Sequence, residues 1–180
     1  MKPSRLLAAV CAVVLVAAAG VSAATLRQGP TPPSEMHRWL QGHVGMWDAE
    51  IDMMGAESKG TWEVKAGPGG LWICSEFKGE VMGGPFHGME FMGFDPDSKE
   101  FVTHWIDSTS TKVTVMSGTY DKATKTLTVR GMMPGMDGSM AEAVNITRYP
   151  DGDHMHFEMQ APGPDGSLMT MMTIEYTRRK

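Results

Sequence analysis

Apolar and polar residues alternate along most of this chain. Trp47, Ala49, Ile51 and Met53 interleave with Asp48, Glu50 and Asp52, the pattern of a strand buried on one face. Trp62, Val64 and Ala66 interleave with Glu63 and Lys65 in the same way. Gly67-Pro68-Gly69-Gly70 then turns the chain into a run over Leu71 to Lys78. Further runs cover 86–94, 101–107, 111–120, 124–130, 140–149, 155–160 and 168–177, so the pattern predicts about ten strands. One short helix is predicted ahead of them. Ser34 suits its N-cap, Met36, Trp39, Leu40 and His43 fall roughly on one face, and Gly42 and Gly45 end it.

The connections are short. Asp95-Pro96-Asp97-Ser98-Lys99 and Asp121-Lys122-Ala123-Thr124-Lys125 are two copies of one turn opened by an acidic residue, and Asp151-Gly152-Asp153 is a third. Parallel neighbours need a crossover of about a dozen residues or more, so these links imply an antiparallel meander. Such a meander removes its edges by closing into a barrel or folds into two packed sheets. Alternation alone does not separate the two.

The first residues read differently. Lys2 and Arg5 precede an apolar stretch, Leu6 to Ala19, and then the small residues Val21-Ser22-Ala23-Ala24, which reads as a cleavable secretory signal peptide over 1–24. The stretch is shorter than the roughly 20 residues a spanning helix needs. A Pro-rich tether follows over 25–34, and a single domain over 35–180. The expectation is export to the periplasm or the extracellular space, without stable membrane insertion. The 180 residues carry a net charge of −5, and loss of Lys2 and Arg5 makes the mature chain more acidic. That argues against nucleic acid as a partner. Cleavage also removes Cys11, which leaves Cys74 with no partner for an internal disulfide. The core has to hold the fold.

Several short motifs keep a fixed order: Gly84-Pro85-Phe86-His87-Gly88, Gly93-Phe94-Asp95, Trp105-Ile106-Asp107-Ser108, Gly118-Thr119-Tyr120-Asp121 and Tyr176-Thr177-Arg178. In this order the chain resembles a bacterial family catalogued only as a domain of unknown function, number fifteen seventy-nine. The opening Gly45-Met46-Trp47 and the late Arg178 are similar to the ends of calycin barrels. The resemblance implies an all-β, antiparallel, lipocalin-like (calycin) barrel of about ten strands with a short N-terminal helix. It further implies that Trp47 packs across the closed end, with Gly45 before it and Arg178, or Arg179 in its place, over the ring. It implies no activity.

Three kinds of chemistry compete for the site. The first is a small apolar or amphipathic ligand held inside the barrel without catalysis, with Trp62, Trp72, Phe91, Met92 and Trp105 as lining and His87 as polar anchor. The same residues could instead fill the interior, leaving an interaction barrel that works through its outer surface. The second is metal. His154, His156 and Glu158 alternate on one face of a strand, a set suited to Zn²⁺ or Cu²⁺, although they are simply wet if Met155, Phe157 and Met159 point inward. Met132, Met133, Met136 and Met140 gather thioethers suited to Cu(I) among the 18 methionines of the chain, yet methionine also fills irregular interiors. The third is catalysis. No nucleophile elbow, zinc-protease helix, phosphate loop or dinucleotide pattern is present. His104, Asp107 and Ser108 lie close in sequence, but Asp107 falls on the opposite face from the other two, so no catalytic residue is assigned. No cofactor is indicated. Asn145-Ile146-Thr147 also matches a glycosylation sequon.

Overall fold

In a computed structural model, residues 32–81, 83–134, 139–163 and 165–180 are described. The segment expected to be a signal peptide (1–24), the expected tether as far as Thr31, and Met136 lie outside them. The elements in order are α1 (Glu35–Gln41), β1 (Gly45–Met53), β2 (Ala56–Ala66), β3 (Trp72–Val81), β4 (Gly84–Asp95), β5 (Glu100–Asp107), β6 (Ser110–Asp121), β7 (Thr126–Pro134), β8 (Met140–Arg148), β9 (His154–Pro162) and β10 (Leu168–Arg178). Each strand pairs antiparallel with its sequence neighbours, and β1 pairs with β10, so the ten strands form a closed barrel. Closure rather than a two-sheet sandwich follows from the register Trp47↔Arg178 through Asp52↔Thr173, which leaves no free edge.

The two acidic-start turns are the same structure twice. Asp95 accepts from the Asp97 amide and the Ser98 hydroxyl, and Asp121 accepts from the Ala123 amide and the Thr124 hydroxyl. Each turn ends on a lysine with positive φ, Lys99 at 61° and Lys125 at 51°. The carboxylates lock the turns, and these donors hold both carboxyl groups below their ordinary range.

Helix α1 covers one end of the barrel. His37 and Leu40 are buried. The Trp39 ring lies 4.3 Å from Tyr120 and 5.0 Å from Tyr149, centroid to centroid. Beneath it, Trp47 is 1% exposed and donates its indole N–H to the His43 carbonyl. The Arg178 guanidinium lies over the Trp47 ring, 4.1 Å from its centroid. It donates to the carbonyls of Gly42, Val44 and Gly152. Gly45 has φ 145°, and a Cβ there would stand 2.8 Å from Arg178 Nη1, so the first glycine of the Gly-x-Trp triplet makes room for the guanidinium.

Two buried clusters divide the interior. One, around Leu40, Trp47, Phe101, Leu127 and Met155, seals the α1 end. The other, around Ala49, Ile51, Phe77 and Ile174, lies toward the opposite end, with Trp105, Phe86 and Phe157 against it.

Candidate functional site

Burial and register together fix which side chains enter the lumen. In β3 the inward positions are Ile73, Ser75 and Phe77. Their partners on β4 are Met92, Glu90 and Gly88. Opposite Glu90 and Met92 on β5 stand Trp105 and Thr103, and opposite those on β6 stand Thr114 and Met116. From the other wall come Trp62 of β2, Asn145 of β8, Phe157 and Met159 of β9, and Met172 and Tyr176 of β10.

Most of this lining is apolar, but a polar belt crosses its middle. Thr103, 4% exposed, donates its hydroxyl to Glu90 Oε1 at 2.6 Å, and Ser75, also 4% exposed, donates to Oε2 at 3.4 Å. No cation approaches Glu90 among the described residues. Burial pushes its carboxyl above the ordinary range, against the pull of the Thr103 and Ser75 hydroxyls. Tyr149 and Tyr176 face the same space. Burial raises both phenols, and the Glu90 carboxylate raises them further, so both stay neutral donors. On the β8 wall, Asn145 donates through Nδ2 to the Met116 sulfur at 3.3 Å. Its carbonyl oxygen is the one buried side-chain polar atom without a hydrogen-bond partner among the described residues. An acceptor stranded this way costs about 1–3 kcal/mol.

Walled by ten strands, Trp62, Glu90, Met92, Asn145, Phe157 and Tyr176 nevertheless keep part of their surface accessible. At mid-barrel these side chains line the lumen. Trp105 shapes it from one side. A Cβ on Gly88 would stand 2.2 Å from the Trp105 ring, so the indole lies flat across that glycine. It stacks on Phe86 with centroids 6.2 Å apart and donates to Asp107 Oδ2 at 2.8 Å.

Of the residues expected to line the barrel, Trp62, Met92 and Trp105 do so. Trp72, His87 and Phe91 do not, which corrects that assignment. Trp72 lies on the outer wall, its ring packed over Gly93, and Phe91 is 41% exposed. Phe91 and Met92 are adjacent, and adjacent strand residues face opposite sides. His87 is outside, with Nε2 2.7 Å from Glu76 Oε1, beside a shallow outer groove lined by Met89, Ile106, Asp107 and Ser108. The residues missed were Glu90, Asn145, Tyr149 and Tyr176. The available signal was Glu90 itself, which sits in phase with Gly88 and Met92 on β4.

The metal candidates do not converge. His154, His156 and Glu158 share the outer face, but each is turned to its own partner. His154 contacts Asp151, and His156 contacts Glu175. Glu158 accepts from Thr170, Gln160 and Arg148, which hold its carboxyl below the ordinary range. Met132 and Met140 are exposed on the outer wall at 49% and 45%, while Met133 packs inward against the core. Among the described residues no three His, Cys, Asp or Glu side chains are grouped to hold a metal ion. Nor do His104, Asp107 and Ser108 assemble. His104 faces outward toward Trp72, Asp107 accepts from Trp105 and Thr109, and Ser108 accepts from the His87 amide. Asn145 faces inward, where no glycan could be attached. Cys74 is half-buried on the outer face of β3.

The family model described as "Protein of unknown function (DUF1579)" matches residues 32–178. No protein of curated function matches the chain. Among solved structures, Rv2717c from M. tuberculosis is similar at a TM-score of 0.60 and 12% identity, covering 82% of this chain and 99% of that one. The S-type phycobiliprotein lyase CPES from Guillardia theta is similar at a TM-score of 0.53 and 11% identity, covering 81% and 93%. At these identities the likeness is one of fold.

Proposed function

The chain belongs to the DUF1579 family, whose name carries no activity, and from that premise we propose that it binds a small amphipathic molecule inside the barrel without catalysis. The observation that carries this reading is the polar belt. A carboxyl with no counter-cation and a carbonyl with no partner face an apolar lumen whose lining residues are only partly buried. An interior built only for stability would replace both with aliphatic side chains, since stranded polar groups cost free energy. A few placed polar groups in an apolar cavity are the usual makings of a small-molecule site. The one sequence-near candidate set, His104, Asp107 and Ser108, does not assemble, which leaves binding the better-supported reading.

Titration with Nile red, a neutral apolar fluorophore, tests the reading. Saturable one-to-one binding that quenches tryptophan emission, competed by a medium-chain alcohol, is expected. The outer-wall variants Phe91→Ser and Val115→Ser should leave it unchanged. Absence of saturable binding, or its loss in the outer-wall variants, would remove the proposal.

A second reading draws on that outer wall. Met89, Phe91, Ile106, Val113 and Val115 are each 38–57% exposed on β4, β5 and β6, an apolar patch crossed by His104 and of the kind that marks partner contacts. Concentration-dependent association abolished by the same two serine variants would favour it.

We propose as well that the protein is exported by cleavage of the 1–24 segment. N-terminal sequencing of secreted material should begin at Ala24 or Thr25, and recovery of Met1 would refute this.

A further inference from the structure

We propose that the lumen site selects organic amines, molecules with a primary ammonium head on an apolar body, and discriminates against carboxylates. The inference rests on the binding reading above and adds the chemistry of the ligand.

The groups facing the lumen are lopsided in charge and in hydrogen-bonding sense. On the strands, Glu90 points inward at mid-barrel and Asp107 sits at the rim, engaged with Trp105 and Thr109; the lysine on the inward phase, Lys112, is exposed beyond Thr114 toward the β5–β6 turn, and no histidine of the described strands points inward. The one arginine on the inward phase, Arg178, is at the sealed end and is engaged with Trp47 and three carbonyls. At the belt a carboxylate ligand would find no cation to meet it, an unpaired buried charge that is strongly unfavourable, whereas an ammonium supplies the counter-charge that lets Glu90 ionise.

An ammonium finds the reverse. Its three N–H donors match what the belt has in excess, namely the Glu90 oxygens and the unpartnered Asn145 carbonyl oxygen. The two belong to one belt. Thr103, which donates to Glu90, is the cross-strand partner of Met116, the residue that accepts from Asn145. Aromatic faces complete the site. Trp62 and Tyr176 lie with centroids 5.3 Å apart on the facing wall, suited to cation–π contact in a desolvated setting. The apolar body would lie along Met92, Phe157, Met159 and Met172, unbranched and adaptable side chains for the most part. The chain's net charge of −5 draws cations toward the protein over longer range.

The test is calorimetry of the mature protein at neutral pH with octylamine, octanol and octanoate, each below its micelle concentration. These share one tail and differ in the head. Octylamine should bind at least about tenfold more tightly than octanol, and octanoate more weakly than octanol. Trimethyloctylammonium keeps the charge but has no N–H donor, so it should fall between octylamine and octanol. Glu90→Gln should bring octylamine down to the level of octanol. Because the selectivity is read on the unaltered protein, it does not depend on how the variant folds. If octanol binds as well as octylamine, or octanoate binds better than either, amine selection is wrong while the binding reading stands. If none of the three binds, both fall.

Discussion

Deleting the Arg178 side chain should loosen the sealed end of the barrel by a calculable amount. The guanidinium stacks on Trp47 at 4.1 Å, which is worth ~0.5–2 kcal/mol. It also donates to the carbonyls of Gly42, Val44 and Gly152, and hydrogen bonds from a charged donor are worth about 1.5–3 kcal/mol each. The side chain is 21% exposed and the freed carbonyls can turn to water, so each bond counts at or below the lower end. Arg178→Ala should then cost about 3–5 kcal/mol. For a domain of this size each kcal/mol lowers Tm by about 2–4 °C, so a fall of about 10 °C is expected. Arg178→Lys keeps the charge but lacks the flat fork that stacks and reaches three carbonyls, and should recover only a minor part. Urea and thermal unfolding, followed by circular dichroism, measure both. Gly45→Ala intrudes on the same guanidinium, so a double-mutant cycle between the two sites should be strongly non-additive. An alanine variant within about 1 kcal/mol of the parent, or a lysine variant of full stability, would refute the account.

Other outcomes follow from the lumen and its lid. Gly88→Ala places a methyl 2.2 Å from the Trp105 ring and must displace it, so tryptophan emission should shift and stability fall by about 1–3 kcal/mol; an unchanged spectrum would contradict the packing described. Burial lowers the His43 imidazole to about 4 from 6.5, so the unfolded chain takes up a proton first as pH falls. Stability should drop by about 2–3 kcal/mol between those two values, and His43→Gln should flatten that slope in pH-dependent urea unfolding. Glu90 titrates in the opposite sense. Its folded carboxyl stays protonated above 4.5 while the unfolded one ionises, so stability declines as pH rises from there. The groups facing it, Thr103, Ser75, Tyr149 and Tyr176, are all uncharged. Glu90→Gln should therefore be the more stable protein at neutral pH, with the gap closing below 4.5; a gap that does not change with pH would count against a buried neutral carboxyl.

The elements of this barrel were legible residue by residue because their signals are local. A strand buried on one face alternates with period two, as Trp47 to Met53 does, and an Asp that accepts its own turn's amides marks each tight connection. The pairing of β1 with β10 was legible only through the resemblance of the chain's two ends to a known barrel, since nothing local joins Trp47 to Arg178 across 131 positions of chain.

The phase of the strands was another matter. Period two tells which residues share a face but not which face is inside, and that ambiguity is complete where both faces carry apolar residues. On β3, Trp72 and Cys74 compete with Ile73 and Phe77, and on β4, Met89 and Phe91 compete with Phe86 and Met92. Closure of the barrel decided both, placing Trp72 over Gly93 on the outside and Glu90 on the inside. The belt itself belongs wholly to the tertiary structure. Glu90, Thr103, Asn145 and Tyr176 come from four separate strands, and a carboxyl becomes an uncommon group only once a surrounding wall has removed its water.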